Sequence, residues 1–335
     1  MPPYYAGLTP DIVLAAVESV GLLADGRLMA LNSYENRVYR VGLGAPVPAA
    51  THGADPLQVV AKFYREARWS DAQIREEHAF ALELAGAELP VAPPLVFAGE
   101  SLHRHVGFRF ALFEYLPGAA PDLDRPGDRP LLGRTLGRLH ALGALRRFRF
   151  RGSVAAWRHG AVARELILAR GVVPPPLDAR YAEISAQLVA AIGACDAAVG
   201  PVAQLRLHGD CHPGNILWRA TGPLFVDFDD SLMGPAVQDL WMFIAGSPDR
   251  MRLEWTALLD GYEQFAHFDA GQARLIEALR GTRMLNHAAW IAQRWSDPAF
   301  PRAFPWFGEP RFWERHIDEL REQLAALEDP PLLRA

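Results

Sequence analysis

Residues 205–230, LRLHGDCHPGNILWRATGPLFVDFDD, alternate short apolar runs with two clusters of polar side chains. The runs LRL, NILW and LFVDF are typical of strands, because each is apolar and is bounded by turn-forming residues. Only RATGPL separates NILW from FVDF, and a turn of that length brings Asn215 and Asp227 close together. The sequence therefore predicts that HGDCHPGN and FVDFDD belong to one site.

The residue types of the first cluster are compatible with several chemistries. His208, Cys211 and His212 offer the atoms of a zinc site, but they lack the second spaced pair of ligands that structural zinc sites contain. Cys211 and His212 would act as a nucleophile and its base only if both side chains pointed the same way, and chain neighbours on extended backbone point to opposite sides. Both interpretations are weaker than one based on the aspartates and the asparagine.

Metal-assisted phosphoryl transfer uses these remaining residues. An aspartate orients the attacking hydroxyl or accepts its proton, and further carboxylate and amide oxygens hold Mg²⁺ against the phosphates. Asp210 fits the first role, and Asn215 and Asp227 fit the second. The spacing from Asp210 to Asn215 is that of the kinase loop H-R-D-x-x-x-x-N, with glycine for the arginine, and Asp229 replaces the glycine of D-F-G. Turn formation alone also explains these residue types, but their ordered combination favours a catalytic set in which Asp210 and Asp227 act on the reactants.

A single lysine, Lys62, stands against 33 arginines. It lies in VVAKFY, a strand similar to the kinase V-A-I-K, whose lysine contacts the nucleotide phosphates and pairs with a glutamate on the next helix. Glu77 is the expected partner and Glu76 the second choice. A compact ammonium suits such a position better than a planar guanidinium. The alternative is that the one remaining lysine lies on a surface strand without a role.

Two further segments are expected to contact the nucleotide. The turn N-S-Y-E-N, residues 32–36, contains no glycine, and Ser33 can offer its hydroxyl and backbone N–H to a phosphate. An equally good interpretation is that Asn32 and Ser33 only shape the turn. FALFEYLPG is the expected hinge, in which backbone near Glu114, Tyr115 and Leu116 faces the adenine, although an ordinary buried strand is as well supported.

The order of these segments predicts an α+β fold of two lobes. A helix over 10–20 precedes extended segments over 28–41 and around Lys62, and a second helix, over 71–86, follows them. Nearly everything after residue 118 is helical apart from the catalytic segment. We therefore expect a bilobal, protein-kinase-like architecture, with a small antiparallel N-lobe over 1–113 and a mostly helical C-lobe over 114–335.

Composition limits the partners that the protein is expected to have. A formal net charge of −5 and a pI near 6.1 argue against a nucleic-acid-binding chain. We find no apolar run long enough to span a bilayer and no basic and apolar leader in MPPYYAGLTPD, so no membrane partner is expected. Two cysteines, Cys195 and Cys211, fit a reducing compartment. The predicted location is cytoplasmic.

Two features of the C-terminal half have structural as well as functional interpretations. Asp239, in GPAVQDLWM, is expected to brace the catalytic loop rather than to react. Six of the nine tryptophans lie between Trp241 and Trp313 and would suit an aromatic box for a cationic substrate, but core packing is the favoured interpretation.

With these motifs, the chain resembles the bacterial stress response kinase A family of the aminoglycoside phosphotransferase and choline kinase-like superfamily. The motifs that carry the resemblance span most of the sequence: LNSYENRVY, VVAKFYR, EEHAFAL, LRLHGDCHPGNILW, GPLFVDFDD, GPAVQDLWM and RWSDPAFPRAFPW. The resemblance implies a kinase-like fold, dependence on ATP and Mg²⁺, and phosphorylation of serine or threonine in proteins, including the kinase itself, in a stress response.

The resemblance also implies roles for particular residues. Asp210 corresponds to the proton acceptor, Asn215 and Asp227 to the Mg²⁺ ligands, and Ser33 to a position that contacts ATP. The sequence departs from protein kinases in having no activation segment with an A-P-E-like end between Asp227 and Gly234. A usual platform for a peptide acceptor is therefore missing.

The leading hypothesis is an ATP-dependent serine/threonine protein kinase. A second hypothesis is a kinase for a small amino alcohol or aminoglycoside-like hydroxyl, which an acidic and aromatic cleft beside Asp210 would favour. A third is a nucleotide-binding pseudokinase module, which would have no need of Asp210.

Overall fold

The computed structural model describes residues 5–31, 33–48 and 53–333. Its N-terminal part is a five-stranded antiparallel sheet with the spatial order β1-β2-β3-β5-β4. The elements of this part are α1 (Pro10–Glu18), β1 (Ala24–Leu31), β2 (Arg37–Leu43), β3 (Asp55–Phe63), α2 (Asp71–Gly86), β4 (His103–His105) and β5 (Phe108–Tyr115).

Local sequence signals explain how the two N-terminal helices begin. Thr9 accepts a hydrogen bond from the backbone N–H of Ile12, and Pro10 follows it at the first helical position. Ser70 and Gln73 form a reciprocal capping box at the start of α2. These caps fix where α2 starts, and therefore which of its side chains face the sheet.

The remainder of the chain is mostly helical. Its helices are α3 (Asp128–Gly143), α4 (Ala156–Arg170), α5 (Asp178–Val199), α6 (Pro248–Tyr262), α7 (Ile276–Arg294), α8 (Ala299–Ala303) and α9 (Pro310–Glu328). Trp313 is fully buried, Trp241 is nearly so, and the other late tryptophans pack partly buried against the same core. Core packing therefore accounts for these tryptophans, which is the interpretation favoured above over an aromatic box.

Two short two-stranded ladders carry the catalytic segment. β6 (Leu205–Leu207) pairs with β9 (Leu232–Gly234), and β7 (Ile216–Arg219) pairs with β8 (Gly222–Phe225), both antiparallel. The polar cluster at 208–215 connects β6 to β7, and the cluster at 227–230 follows β8. The predicted approach of the two clusters is thus a direct result of strand pairing.

Two hydrophobic cores underlie these parts. One lies between α1 and the five-stranded sheet, and the larger one fills the helical part. Phe80 and Leu84 of α2 belong to the larger core, so α2 ties the sheet to the helices. This architecture confirms the predicted α+β bilobal fold. The lobe boundary after residue 113 stays a prediction, and β5 runs on to Tyr115.

Among the described residues, one segment, Pro175–Val199, has the length and mean hydropathy, 1.4, of a helix that can cross a membrane. Its α5 portion packs against α4, α7 and α9, and Tyr181 and Leu188 are fully buried there. Core helices of globular proteins meet the same criterion, so this single helix is weak evidence for a membrane span.

Candidate active site

A cavity of about 400 Å³ lies between the five-stranded sheet and the catalytic ladders. Its walls include every residue that the sequence predicts for the site except Asp210: Ser33, Lys62, Glu77, Glu114, Leu116, Asn215 and Asp227. Apolar residues such as Val38, Val60 and Leu217 line the rest of it. A cleft with apolar walls and a few converging polar groups is typical of a small-molecule or cofactor site.

The catalytic loop is held from behind by Asp239. Its carboxylate accepts hydrogen bonds from the backbone N–H groups of His208, at 2.7 Å, and Gly209, at 2.9 Å. His140 of α3 lies 3.3 Å from the same carboxylate. Asp239 is fully buried, so it acts on the backbone of the loop and not on a reactant. This is the bracing role that the sequence predicts.

Gly209 replaces the arginine of the kinase motif for a steric reason. Its φ is +88°, in the left-handed region, and a Cβ atom there would lie 2.1 Å from the carbonyl oxygen of Asp230. The ring of His208 is fully buried and its Nε2 donates to the carbonyl of Val226 at 2.9 Å. Together these residues hold the catalytic loop against the segment that follows β8.

Asp210 is placed at the helical side of the cavity by this loop. Its carboxylate contacts Arg283 of α7 at 2.7 Å and Nε2 of His212 at 3.4 Å. Burial raises the pKa of Asp210, but the hydrogen bond from His212 and the charge of Arg283 lower it by more, so that the pKa lies well below the ordinary carboxyl range. Asp210 is therefore an anion at physiological pH and can accept a hydrogen bond from a hydroxyl.

Asn215 and Asp227 lie next to each other at the open end of the β7–β8 hairpin. The carbonyl of Asn215 accepts from the N–H of Val226 at 3.0 Å, which places Asp227 beside it. The Nδ2 atom of Asn215 donates to the carbonyl of Asp210 at 2.9 Å, so the amide oxygen is the atom left for a cation. Asp227 has a φ of +60°, and its half-exposed carboxylate lines the cavity. This donor set suits Mg²⁺, which prefers oxygen ligands.

Lys62 reaches across from β3 to the acidic segment. Its Nζ lies 2.7 Å from Asp227 and 3.2 Å from Asp229. Burial lowers the pKa of Lys62, but the attraction of Asp227 and Asp229 more than offsets this and holds the pKa well above its ordinary value. Lys62 lines the cavity, and its ammonium is a fixed positive charge beside the predicted metal ligands. Its contact with the phosphates stays a prediction.

The expected ion pair between Lys62 and Glu77 is wrong. Among the described residues, Arg151 is the cation that forms an ion pair with the Glu77 carboxylate, at 3.4 Å. Burial raises the pKa of Glu77 to about 7. Asp229 takes the place of Glu77 as an ion-pair partner of Lys62, and the Lys62 charge acts on Glu77 from a greater distance by lowering its pKa. The second choice, Glu76, is also not the partner, since it accepts hydrogen bonds from backbone N–H groups of 149–151.

The 33–36 turn is attached to the helical lobe. Glu35 accepts from the indole N–H of Trp290 and pairs with Arg294, both on α7, and Tyr34 packs on Phe304 with ring centroids 5.0 Å apart. The Ser33 hydroxyl lines the cavity and donates to the carbonyl of Asn36 at 3.1 Å. Ser33 therefore shapes the turn and also faces the predicted nucleotide. Asn32 lies outside the described residues.

Two further contacts join the same part of the sheet to the acidic segment. Asn36 donates to Asp229 at 2.9 Å, and Arg68 contacts both Asp229 and Asp230. Burial raises the pKa of Asp229, but Lys62 and Arg68 lower it by more, so that the net pKa lies below the ordinary range. Three N-lobe side chains, Lys62, Asn36 and Arg68, thus converge on the carboxylate of Asp229.

The predicted hinge lies where β5 leaves the sheet. Glu114 pairs in register with Val59, and Leu116 follows the end of the strand; both are largely buried and line the cavity. Gly118 is close to the catalytic ladder, since a Cβ atom there would lie 2.8 Å from the Cβ of Leu217. The segment therefore connects the lobes at the back of the cavity, which is where a hinge is expected.

Sequence reasoning missed several residues of the site. Asp229 is visible in FVDFDD, but the motif comparison treats it only as a departure from D-F-G. Arg283 and Trp290 carry no local motif, because their roles depend on how α7 packs against the catalytic loop and the 33–36 turn. An arginine in a chain with 33 of them gives no signal of its own.

The fold and the site define a class of protein, an enzyme of the kinase-like phosphotransferases. The phosphotransferase enzyme family matches residues 28–277. The chain is 40% identical over 325 residues to the serine/threonine protein kinase RdoA of Salmonella typhimurium and to stress response kinase A of Escherichia coli K12, covering 97% of this chain and 95% of each relative. The chain therefore belongs to the phosphotransferase enzyme family and, within it, to the stress response kinase A group.

Solved structures show the same fold at lower identity. A microcompartment-associated aminopropanol kinase has a TM-score of 0.68 at 20% identity, covering 97% of this chain and 99% of that one. The amicoumacin kinase hAmiN, in a complex with AMP-PNP, Ca²⁺ and Ami, has a TM-score of 0.66 at 16% identity, covering 92% of this chain and 93% of that one. At these identities the likeness concerns the fold.

Proposed function

We propose that this protein is an ATP- and Mg²⁺-dependent serine/threonine protein kinase that also phosphorylates itself and acts in a stress response. The observation that carries the proposal is the convergence of Lys62, Asn215 and Asp227 in one cavity with Asp210 at its edge. The names of the relatives, a serine/threonine protein kinase and a stress response kinase, support the choice of acceptor and role.

Each residue has a distinct task in the proposed reaction. Lys62 and the 33–36 turn bind the phosphates, and the end of β5 receives the adenine. Asn215 and Asp227 hold Mg²⁺, which supplies positive charge to the transferred phosphoryl group. Asp210 orients the acceptor hydroxyl for in-line attack. The rate enhancement then comes mainly from positioning and charge neutralisation, as in other phosphoryl transfers.

The surroundings of Asp210 favour a protein acceptor over an amino alcohol. The side chains that contact its carboxylate are Arg283 and His212. A cationic acceptor would be repelled by this arginine. An amino-alcohol kinase is expected to have an acidic and aromatic cleft beside Asp210, and the contact of Asp210 with the Arg283 guanidinium argues against one.

A small-molecule kinase is the second candidate. The solved structures with this fold include kinases of aminopropanol and amicoumacin, so the same scaffold serves small acceptors in other proteins. A pseudokinase module is less well supported, because the buried brace of Asp239 maintains a catalytic loop that a binding module would not require.

Incubation with γ-labelled ATP and Mg²⁺ tests the proposal. The purified protein is assayed alone, with a generic protein acceptor, and with a panel of amino alcohols and aminoglycosides. Asp210→Asn is the inactive variant, and Asp249→Asn, at an exposed position on α6, is its matched control. Label on protein that disappears in Asp210→Asn but not in Asp249→Asn supports a protein kinase. Label only on a small molecule, or on nothing, refutes it.

A further inference from the structure

A second cavity, of about 450 Å³, opens between α4 and α7. Its walls include Arg158, His159, Val162 and Leu166 of α4 and Asn286 and Trp290 of α7. Nothing in the proposed chemistry at the nucleotide cavity uses this α4–α7 groove. Its position, charge and floor each bear on what it binds.

The α4–α7 groove starts beside the catalytic aspartate. Arg283, which contacts Asp210, precedes the groove residue Asn286 by less than one helical turn, or about 4.5 Å along the axis of α7. The α7 wall continues to Gln293, so the groove extends for a further ~10 Å. A polypeptide of about three extended residues has that length. An acceptor residue at Asp210 would therefore have its chain neighbours in the groove.

The rim of the groove is basic. Arg158, His159 and Arg294 line it, and the described lining residues include no aspartate or glutamate. Arg158 and His159 are exposed on the α4 side of the groove, and Arg294 contacts Glu35 on the α7 side. Such a rim attracts a carboxylate and repels an ammonium group.

The floor of the groove is apolar. Val162 is 63% exposed, and it lines the groove together with Leu166, one turn further along α4, and Trp290 of α7. An exposed aliphatic residue beside a partly buried aromatic ring is suited to receive one apolar side chain of a ligand. The combination of an apolar floor and a basic rim fits a peptide segment better than a nucleic acid, whose backbone would require a longer basic track.

We propose that the α4–α7 groove binds an acidic polypeptide segment whose serine or threonine reaches Asp210. Carboxylates of the segment pair with Arg158 and His159, and an apolar side chain packs on Val162 and Trp290. This inference rests on the proposed protein-kinase function and adds the chemical class of the acceptor. It also supplies a peptide platform in a chain without an A-P-E-like segment.

Fluorescence anisotropy with labelled short peptides tests the groove independently of turnover. One peptide carries a central serine, a leucine and flanking glutamates, and its partner has lysines in place of the glutamates. The acidic peptide should bind at least about tenfold more tightly, and binding should weaken about tenfold in the double variant Arg158→Glu, His159→Glu. Arg170→Glu, at the exposed end of α4 outside the groove, is the matched control and should leave binding unchanged.

Several outcomes would overturn the inference. These are equal binding of both peptides, tighter binding of the basic one, no binding of either, or an affinity that the double variant does not change. Tighter binding of a single-stranded oligonucleotide of equal charge would indicate a different class of ligand and would also overturn it.

Transfer of label from ATP to the same peptides separates this inference from the proposed function. Transfer that prefers the acidic peptide, and loses that preference in the double variant, supports both. Groove-dependent binding without any transfer refutes the protein-kinase function and leaves the groove assignment standing. Transfer without charge preference supports the kinase and refutes the groove.

Discussion

Replacing Lys62 by arginine keeps a positive charge in the cavity and changes only the shape of the cation. The Lys62 ammonium lies between two carboxylates, 2.7 Å from Asp227 and 3.2 Å from Asp229, and the residue is 6% exposed. A planar guanidinium is too wide to occupy the same point and still face the phosphates. We therefore expect the fold to survive and the use of ATP to fall.

The size of the loss follows from the contacts. One charge-assisted hydrogen bond contributes about 1.5–3 kcal/mol, and every ~1.4 kcal/mol of lost transition-state stabilisation is a factor of ten in rate. If one phosphate contact is lost, kcat/KM for ATP falls about 10- to 100-fold. Removing the charge with Lys62→Met should also destabilise the protein, because breaking a buried ion pair costs about 3–5 kcal/mol. In Lys62→Met, Asp229 still contacts Asn36 and Arg68, so we expect the loss of stability to lie at the lower end of that range.

The assay is steady-state phosphoryl transfer at varied ATP concentration, together with thermal unfolding of each variant. Arg104→Lys, an arginine-to-lysine change at an exposed position of β4, serves as the control and should behave as wild type. A wild-type value of kcat/KM in Lys62→Arg would refute the prediction that the cavity requires a lysine at this position.

Three other changes probe the rest of the site. Arg283→Met removes a cation 2.7 Å from Asp210 and so raises the pKa of that carboxyl; the acid limb of the pH profile of kcat/KM should move to higher pH, and an unmoved limb contradicts the assignment. Glu77 has a raised pKa, so its neutral form stabilises the fold fully below pH 4.5, and this contribution is lost as the pH rises to about 7. Between pH 5 and 8 the free energy of unfolding should therefore fall less in Glu77→Gln than in wild type, and the difference should reach about 3 kcal/mol. Thermal unfolding at each pH measures it. Asp239→Asn should cost about 2–3 kcal/mol of stability and lower kcat at least tenfold with little change in KM for ATP, because it weakens two hydrogen bonds to the loop backbone; an unchanged kcat would contradict the bracing role.

The parts of the site that sequence predicts best are those encoded within a few residues of one another. Asp210, Asn215 and Asp227 lie on one pair of ladders, so their spacing along the chain fixes their approach in space. Lys62 was found because it is the one lysine of the chain. The brace by Asp239 was also foreseen, since it follows the second cluster by a short segment.

The errors arise where the partner is chosen by tertiary packing. Glu77 lies on the expected helix and lines the expected cavity. Its carboxylate nevertheless forms an ion pair with Arg151, and Lys62 forms one with Asp229. Both glutamate and aspartate satisfy the chemistry of an ion pair, so sequence alone could not rank them. The contact of Arg283 with Asp210 spans two distant segments and likewise depends on the packing of α7.

The attachment of the 33–36 turn to α7 has a consequence for the kinetics of nucleotide exchange. A glycine-rich loop can lift from the phosphates while the lobes stay together, but this turn is bound to the opposite lobe by Glu35 and Tyr34. We therefore expect the product nucleotide to leave by separation of the lobes, which breaks these contacts and the hydrogen bond between Asn36 and Asp229 together. The helix broken away in this step is α7, which also forms one wall of the proposed acceptor groove. We therefore expect a bound acceptor to delay the loss of ADP and its release to permit it.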